Sequence, residues 1–190
     1  MMERFLILLL GICFSVADVS AKETFTAHNA IKTTFLSWFS GSFKISYERA
    51  VLRNQTMEAT VGYIGFGGDK FDNHPKGYTL RYAHKFMLFG NQRQALNGFY
   101  LRPELIYSRF HYDTKESRER KLSNMGSALL TFGYQYVLQR LVIDTFLGSG
   151  YALGDEADTN YQHGFALWDY FGAHHKNLAV TFGVKLGVCF

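Results

Sequence analysis

Proline occurs only twice in the 190 residues, and cysteine only twice. Beyond the first twenty residues, no stretch approaches the roughly 18 consecutive apolar residues that a membrane helix requires. Charge of one sign is not in excess either. Twenty Lys and Arg face sixteen Asp and Glu, a formal net charge of +4, which is too mild to point to nucleic acid. Each shortage removes a class: few prolines argue against a disordered chain, few cysteines against a disulfide scaffold, and the missing apolar runs against a helical membrane protein. What is abundant is aromatic side chains, at 17%, together with 18 glycines, a mixture suited to strands and tight turns. The mean hydropathy near zero fits strands that alternate apolar and polar residues, because their averages cancel.

The first residues stand apart. Arg4 precedes an apolar run from Phe5 to Val16, and Val19-Ser20-Ala21 places small residues before Lys22. This pattern describes a cleavable secretory signal over residues 1–21. Cys13 is preceded by Ile12, where lipoprotein processing needs a small side chain, so a lipid anchor is disfavoured. Cleavage removes Glu3, Arg4 and Asp18, leaving 19 basic and 14 acidic residues, and only Cys189, so no intramolecular disulfide is available.

Residues 22–190 are read as one domain. Its dominant pattern is period-two alternation. Leu178, Val180, Phe182, Val184, Leu186, Val188 and Phe190 share one face of the last segment, opposite Ala179, Thr181, Gly183, Lys185, Gly187 and Cys189. Similar alternation predicts strands at about 30–38, 42–49, 56–66, 77–88, 97–111, 124–138 and 141–152. Pro103 falls inside one of them, and a local bulge is expected there. The connections tend to alternate short and long: Ala50–Gln55 and Gln139–Arg140 against Gly67–Lys76, Tyr112–Ser123 and Leu153–Lys176. Phe39–Gly41 and Phe89–Leu96 fit this scheme less well. Eight strands of nearly bilayer-spanning length, with short turns on one side and longer loops on the other, predict an all-β fold: an eight-stranded antiparallel up-and-down transmembrane β-barrel.

Parity assigns ten charged residues to the interior of such a barrel: Lys32, Lys44, Glu48, Glu58, Arg81, Lys85, Arg102, Glu104, Asp144 and Lys185. On a lipid face a midplane Lys or Arg costs about 2–4 kcal/mol. Inside a barrel with just enough room for its own side chains, both signs can pair, so a filled, salt-bridged lumen is expected.

The runs Phe43-Lys44-Ile45-Ser46-Tyr47-Glu48-Arg49, Gly98-Phe99-Tyr100-Leu101-Arg102-Pro103-Glu104 and Gly133-Tyr134-Gln135 resemble a family of small outer-membrane barrels of unknown function, related in architecture to the OmpA and OmpX barrels. The resemblance covers roughly residues 29–190 and implies fold and location, with no catalytic residues to carry over. Terminal Phe190, with apolar residues at alternate positions before it, resembles the signal read by the barrel-assembly machinery.

Of the remaining features, the Leu153–Lys176 segment is the most unusual. Tyr161, Phe165, Trp168 and Tyr170 are candidates for surface recognition, set against packing on the barrel rim or in an interfacial girdle. Asp155, Glu156 and Asp158 lack the spacing and glycine of a calcium loop. His174 and His175 are adjacent and point apart in extended chain, so with His163 they make a poor metal site. Arg109 and His111 share an outward face near a strand end, where an arginine can pair with lipid phosphate or simply be solvated. The charged segment Asp113–Lys121 reads as a solvated outer loop. Ser108 and His111 lie three apart on a strand and point to opposite faces, which leaves no nucleophile–base pair there.

The expectation is a non-enzymatic outer-membrane barrel with a structural or surface-interaction role and no cofactor. Its expected partners are outer-membrane lipid and lipopolysaccharide, the barrel-assembly machinery, and a surface ligand or envelope protein, with no nucleic acid. A lipid-modifying barrel enzyme and a narrow pore are the alternatives. Behind them stands a soluble periplasmic lipocalin-like carrier, which needs the opposite arrangement of faces.

Overall fold

The computed structural model describes residues 27–35, 37, 41–66, 74–90, 96–113, 119–154, 164–166 and 178–190. The expected export signal, residues 1–21, lies outside them. The strands are β1 (Asn29–Thr34), β2 (Ser42–Leu52), β3 (Gln55–Ile64), β4 (Lys76–Gly90), β5 (Gly98–Asp113), β6 (Arg120–Leu138), β7 (Leu141–Leu153), β8 (Gly164–Ala166) and β9 (Leu178–Cys189).

Each of β1 to β6 pairs antiparallel with the next. β9 follows β7 and returns to β1, closing an eight-stranded barrel. Closure runs from Ala30 opposite Cys189 to Thr34 opposite Lys185. Backbone bonds between Asn29 and Phe190 complete it: the Phe190 carbonyl accepts from Asn29 N at 3.0 Å, and Phe190 N donates to the Asn29 carbonyl at 2.8 Å. β1 is too short to cover all of β9. The three residues of β8 take the edge that it leaves, with Gly164 to Ala166 opposite Thr181 to Ala179.

The alternation seen in the sequence becomes inside and outside. Leu105 and Leu147 expose 61% and 62% of their surface, and Val61, Phe132, Tyr134 and Phe182 point the same way. Such a band is unfavourable in water and suits hydrocarbon. The charged residues occupy the other face and are buried. The inverted arrangement of a lipocalin-like carrier, apolar within and charged without, is therefore not the one adopted.

The structure corrects several boundaries. β1 ends at Thr34 instead of near residue 38. At both ends of the expected loop Tyr112–Ser123 the chain is strand, because β5 and β6 stay paired as far as Asp113 opposite Arg120. Charged residues can continue a ladder once it has risen above the apolar band, where lipid no longer dictates alternation. The turn at Ala50–Gln55 contracts to Arg53–Asn54, and Gln139 adopts a φ of 55° in the two-residue turn before β7. Pro103 makes no bulge. Its pairing with Leu130 and the β4–β5 register on either side are continuous, and the irregularity falls at Met87/Phe89 instead. Proline interrupts only the ladder contacts towards β4 around itself, which a register held on both sides tolerates.

Adjacent residues of β9 test the assignment of faces. Val184→Arg puts a charge towards lipid at a cost of about 2–4 kcal/mol and is expected to block insertion into bilayers. Lys185→Ala is expected to insert as a folded but less stable barrel. Heat-modifiable mobility in gels after refolding into vesicles measures both, and equal tolerance of the two substitutions would contradict the assignment.

Candidate functional site

The barrel interior is layered. At the end carrying Asn29 and Phe190, Ala27, Ala30, Leu96, Val137, Val142 and Cys189 pack together. Towards the far end, Ile106, Leu129, Ala152 and Ala179 form one apolar cluster, and Ile64, Phe110 and Met125 form another, flanked by Tyr112. Between these apolar layers lie all ten of the charged residues that parity had assigned to the lumen, each exposing 5% of its surface or less.

Their centre is a knot of two ammonium groups and three carboxylates. Lys32 Nζ lies 2.5 Å from Glu48 Oε2, 2.5 Å from Glu58 Oε2 and 2.8 Å from Asp144 Oδ2. Lys85 Nζ reaches the same three oxygens at 3.3, 3.3 and 2.8 Å. Both also donate to Gln135 Oε1, at 3.2 and 2.7 Å. The other carboxylate oxygens are engaged too: Thr56 donates to Glu48 Oε1 and Tyr100 to Asp144 Oδ1, each at 2.5 Å. Lys185 pairs with Glu58.

A second group adjoins it. Arg102 reaches Glu104 Oε2 at 3.1 Å and Glu58 Oε1 at 3.6 Å, and donates to Thr131 Oγ1 at 2.8 Å. Arg81 binds the other Glu104 oxygen at 3.1 Å. Lys44 is buried on the same inner face of β2. The ten residues comprise six cations and four carboxylates. Aromatic faces offset part of the excess: Lys85 sits 4.5 Å from the Tyr100 ring centroid, and Arg102 and Lys185 lie 4.7 and 5.3 Å from that of Phe146.

Glycine makes room for this packing. Gly133 lies directly opposite Tyr100, and a Cβ there would overlap the Tyr100 ring and its hydroxyl. Any larger residue would lift the phenol away from Asp144.

Chemically, Glu48, Glu58 and Asp144 gather oxygen atoms closely enough to hold a cation. The ammonium groups of Lys32, Lys85 and Lys185 already fill that role, three cations against three carboxylates, so the cluster is an internally neutralised knot. Ser108 is buried, and its hydroxyl donates to Thr79 Oγ1 at 2.8 Å, while His111 is exposed on the outer face. Of the other sequence candidates, Tyr161, Trp168 and Tyr170 lie outside the described residues, and Phe165 is described only through its place in β8. Phe190 is half exposed at the closure seam. Reading the sequence for charge missed Tyr100, Gln135, Thr56, Thr131 and Phe146 as members of the network. Their inward parity was the available signal, but a neutral side chain does not advertise a charged neighbour on another strand.

Breaking one member should cost more than removing a matched pair. Asp144→Ala removes one of the three carboxylates that Lys32 and Lys85 share and leaves the Tyr100 hydroxyl without its acceptor, and is expected to destabilise the barrel by about 3–5 kcal/mol. Asp144→Leu with Lys85→Met should recover a substantial part. Urea unfolding in vesicles measures both, and strictly additive losses would refute the coupling.

A family model described as a protein of unknown function (DUF3575) matches residues 5–185. Among solved structures, the N-terminal β-barrel domain of OprF from Pseudomonas aeruginosa is similar, with a TM-score of 0.53 at 12% identity, covering 87% of this chain and 98% of that one. No curated protein matches the chain. At that identity the likeness concerns the fold, which resembles that of an outer-membrane barrel.

Proposed function

The chain belongs to the DUF3575 family of proteins of unknown function, and on that premise we propose that it is a non-enzymatic, non-conducting barrel of the outer membrane with a structural or surface-interaction role. Residues 1–21 direct export and are removed. The barrel-assembly machinery reads the alternating C-terminal strand that ends at Phe190. The mature barrel sits in outer-membrane lipid with its termini towards the periplasm, and its loops at the opposite end face outwards to meet a ligand or an envelope partner.

One observation carries the reading: among the described residues, every charged side chain of the lumen is closed off from water and paired or packed between apolar layers. A pore needs a continuous wet path, whereas moving these groups aside would separate ion pairs in a low-dielectric interior. The alternative of a lipid-modifying enzyme is weakened by Ser108, which is turned inwards onto Thr79 while His111 points outwards, so the pair is not within reach for proton transfer.

The full chain refolded into planar bilayers should give no discrete conductance steps, and vesicles containing it should not swell in iso-osmotic solutions of small sugars. Steady, reproducible openings in either assay would replace the structural reading with that of a narrow pore.

A further inference from the structure

We propose that the outward face of β4, β5 and β6, at the rim far from the termini, binds the phosphate groups of a phosphorylated glycolipid in the outer leaflet. This inference rests on the membrane reading given above and adds a ligand class to it.

Sheet register assembles the site in rows. Leu80 lies opposite Tyr107, and Tyr107 opposite Gly126. One row further out come Tyr78, Arg109 and Asn124, and beyond them Lys76, His111 and Leu122. Parity sends all of these side chains to the lipid side. On β4 and β5 the face therefore passes with height from Leu80 and Tyr107 through Tyr78 and Arg109 to Lys76 and His111, with Leu122 at its β6 side, as a lipid changes from acyl chain to headgroup.

The details fit an amphiphile with an anionic head. Tyr78 and Tyr107 pack with ring centroids 6.5 Å apart, and the Tyr107 hydroxyl donates to Asn124 Oδ1 at 3.3 Å. Asn124 thus keeps its amide N–H groups for an acceptor beside Arg109. Among the described residues, a Cβ at Gly126 would meet only the Ile106 carbonyl oxygen, at 4.0 Å, so their face has an open notch beside Tyr107 at the depth of the acyl chains. Among the described residues the nearest acid of this face, Asp113, lies a row further out, opposite Arg120, and contacts His74 at 3.7 Å. Neither Lys76 nor Arg109 forms an ion pair among those residues. An arginine fork and a lysine that are diagonal neighbours on one sheet face match a phosphate, which accepts charge-assisted hydrogen bonds from both.

The test uses the full chain refolded into nanodiscs that contain bis-phosphorylated lipid A, with lipid retention read by native mass spectrometry. Lys76→Gln with Arg109→Gln should lower retention by on the order of tenfold, whereas Arg49→Gln with Arg53→Gln, exposed at the opposite rim, should leave it unchanged. Dephosphorylated lipid A should be retained by the unaltered barrel no better than by the Lys76/Arg109 variant. Equal retention by all barrels, loss only in the Arg49/Arg53 variant, or displacement by excess inorganic phosphate alone would overturn the site while leaving the membrane reading intact. A chain that remains soluble and refuses the nanodisc would overturn both.

Discussion

A strand that meets hydrocarbon on one side and a sealed interior on the other has no water to satisfy its backbone, so its hydrogen bonds must be made within the sheet. That constraint gives meaning to the short contact between β1 and β9. Five residue pairs there, supplemented by the bonds between Phe190 and Asn29, turn a sheet with two exposed edges into a barrel. β8 covers a further stretch of the β9 edge. With the sheet closed, period two sorts the chain: the outward residues form the exposed apolar band, and each inward residue must fit a narrow lumen.

The lumen answers with charge. Every one of the eight staves supplies at least one member of the network: Lys32, Glu48, Glu58, Lys85, Arg102, Gln135, Asp144 and Lys185, from β1 to β7 and β9 in order. Burying these groups costs desolvation, and their pairing mainly offsets that cost. Their larger effect is on register. A slip by one residue would turn the charges of a strand towards lipid and its apolar residues inwards. We therefore regard the network as a device that selects one pairing of strands as well as a plug. The similarity to the OprF barrel domain at 12% identity concerns this architecture of closure and alternation.

Much of the fold was legible because a barrel in lipid writes its faces into the sequence at a fixed spacing. Leu178 to Phe190 displays both faces without interruption, and the ten charged residues that parity assigns inwards are buried. The boundaries were less legible. Above the apolar band the outward face no longer has to be hydrophobic, so Arg120 to Ser123 look like loop although they extend a ladder. Pro103 looked like a defect because a sequence does not reveal whether the flanking register is held from both sides.

The sequence by itself determined which side chains face inwards, since alternation is a local property of a strand and needs no knowledge of its neighbours. Only the tertiary structure decided which of them meet. Lys32 and Asp144 are 112 residues apart, and the closure that brings β1 round to β9, beside β7, sets their charges 2.8 Å from one another. Charge pairing across a barrel depends on the stagger and height of strands distant in the chain, and a period of two carries no record of either.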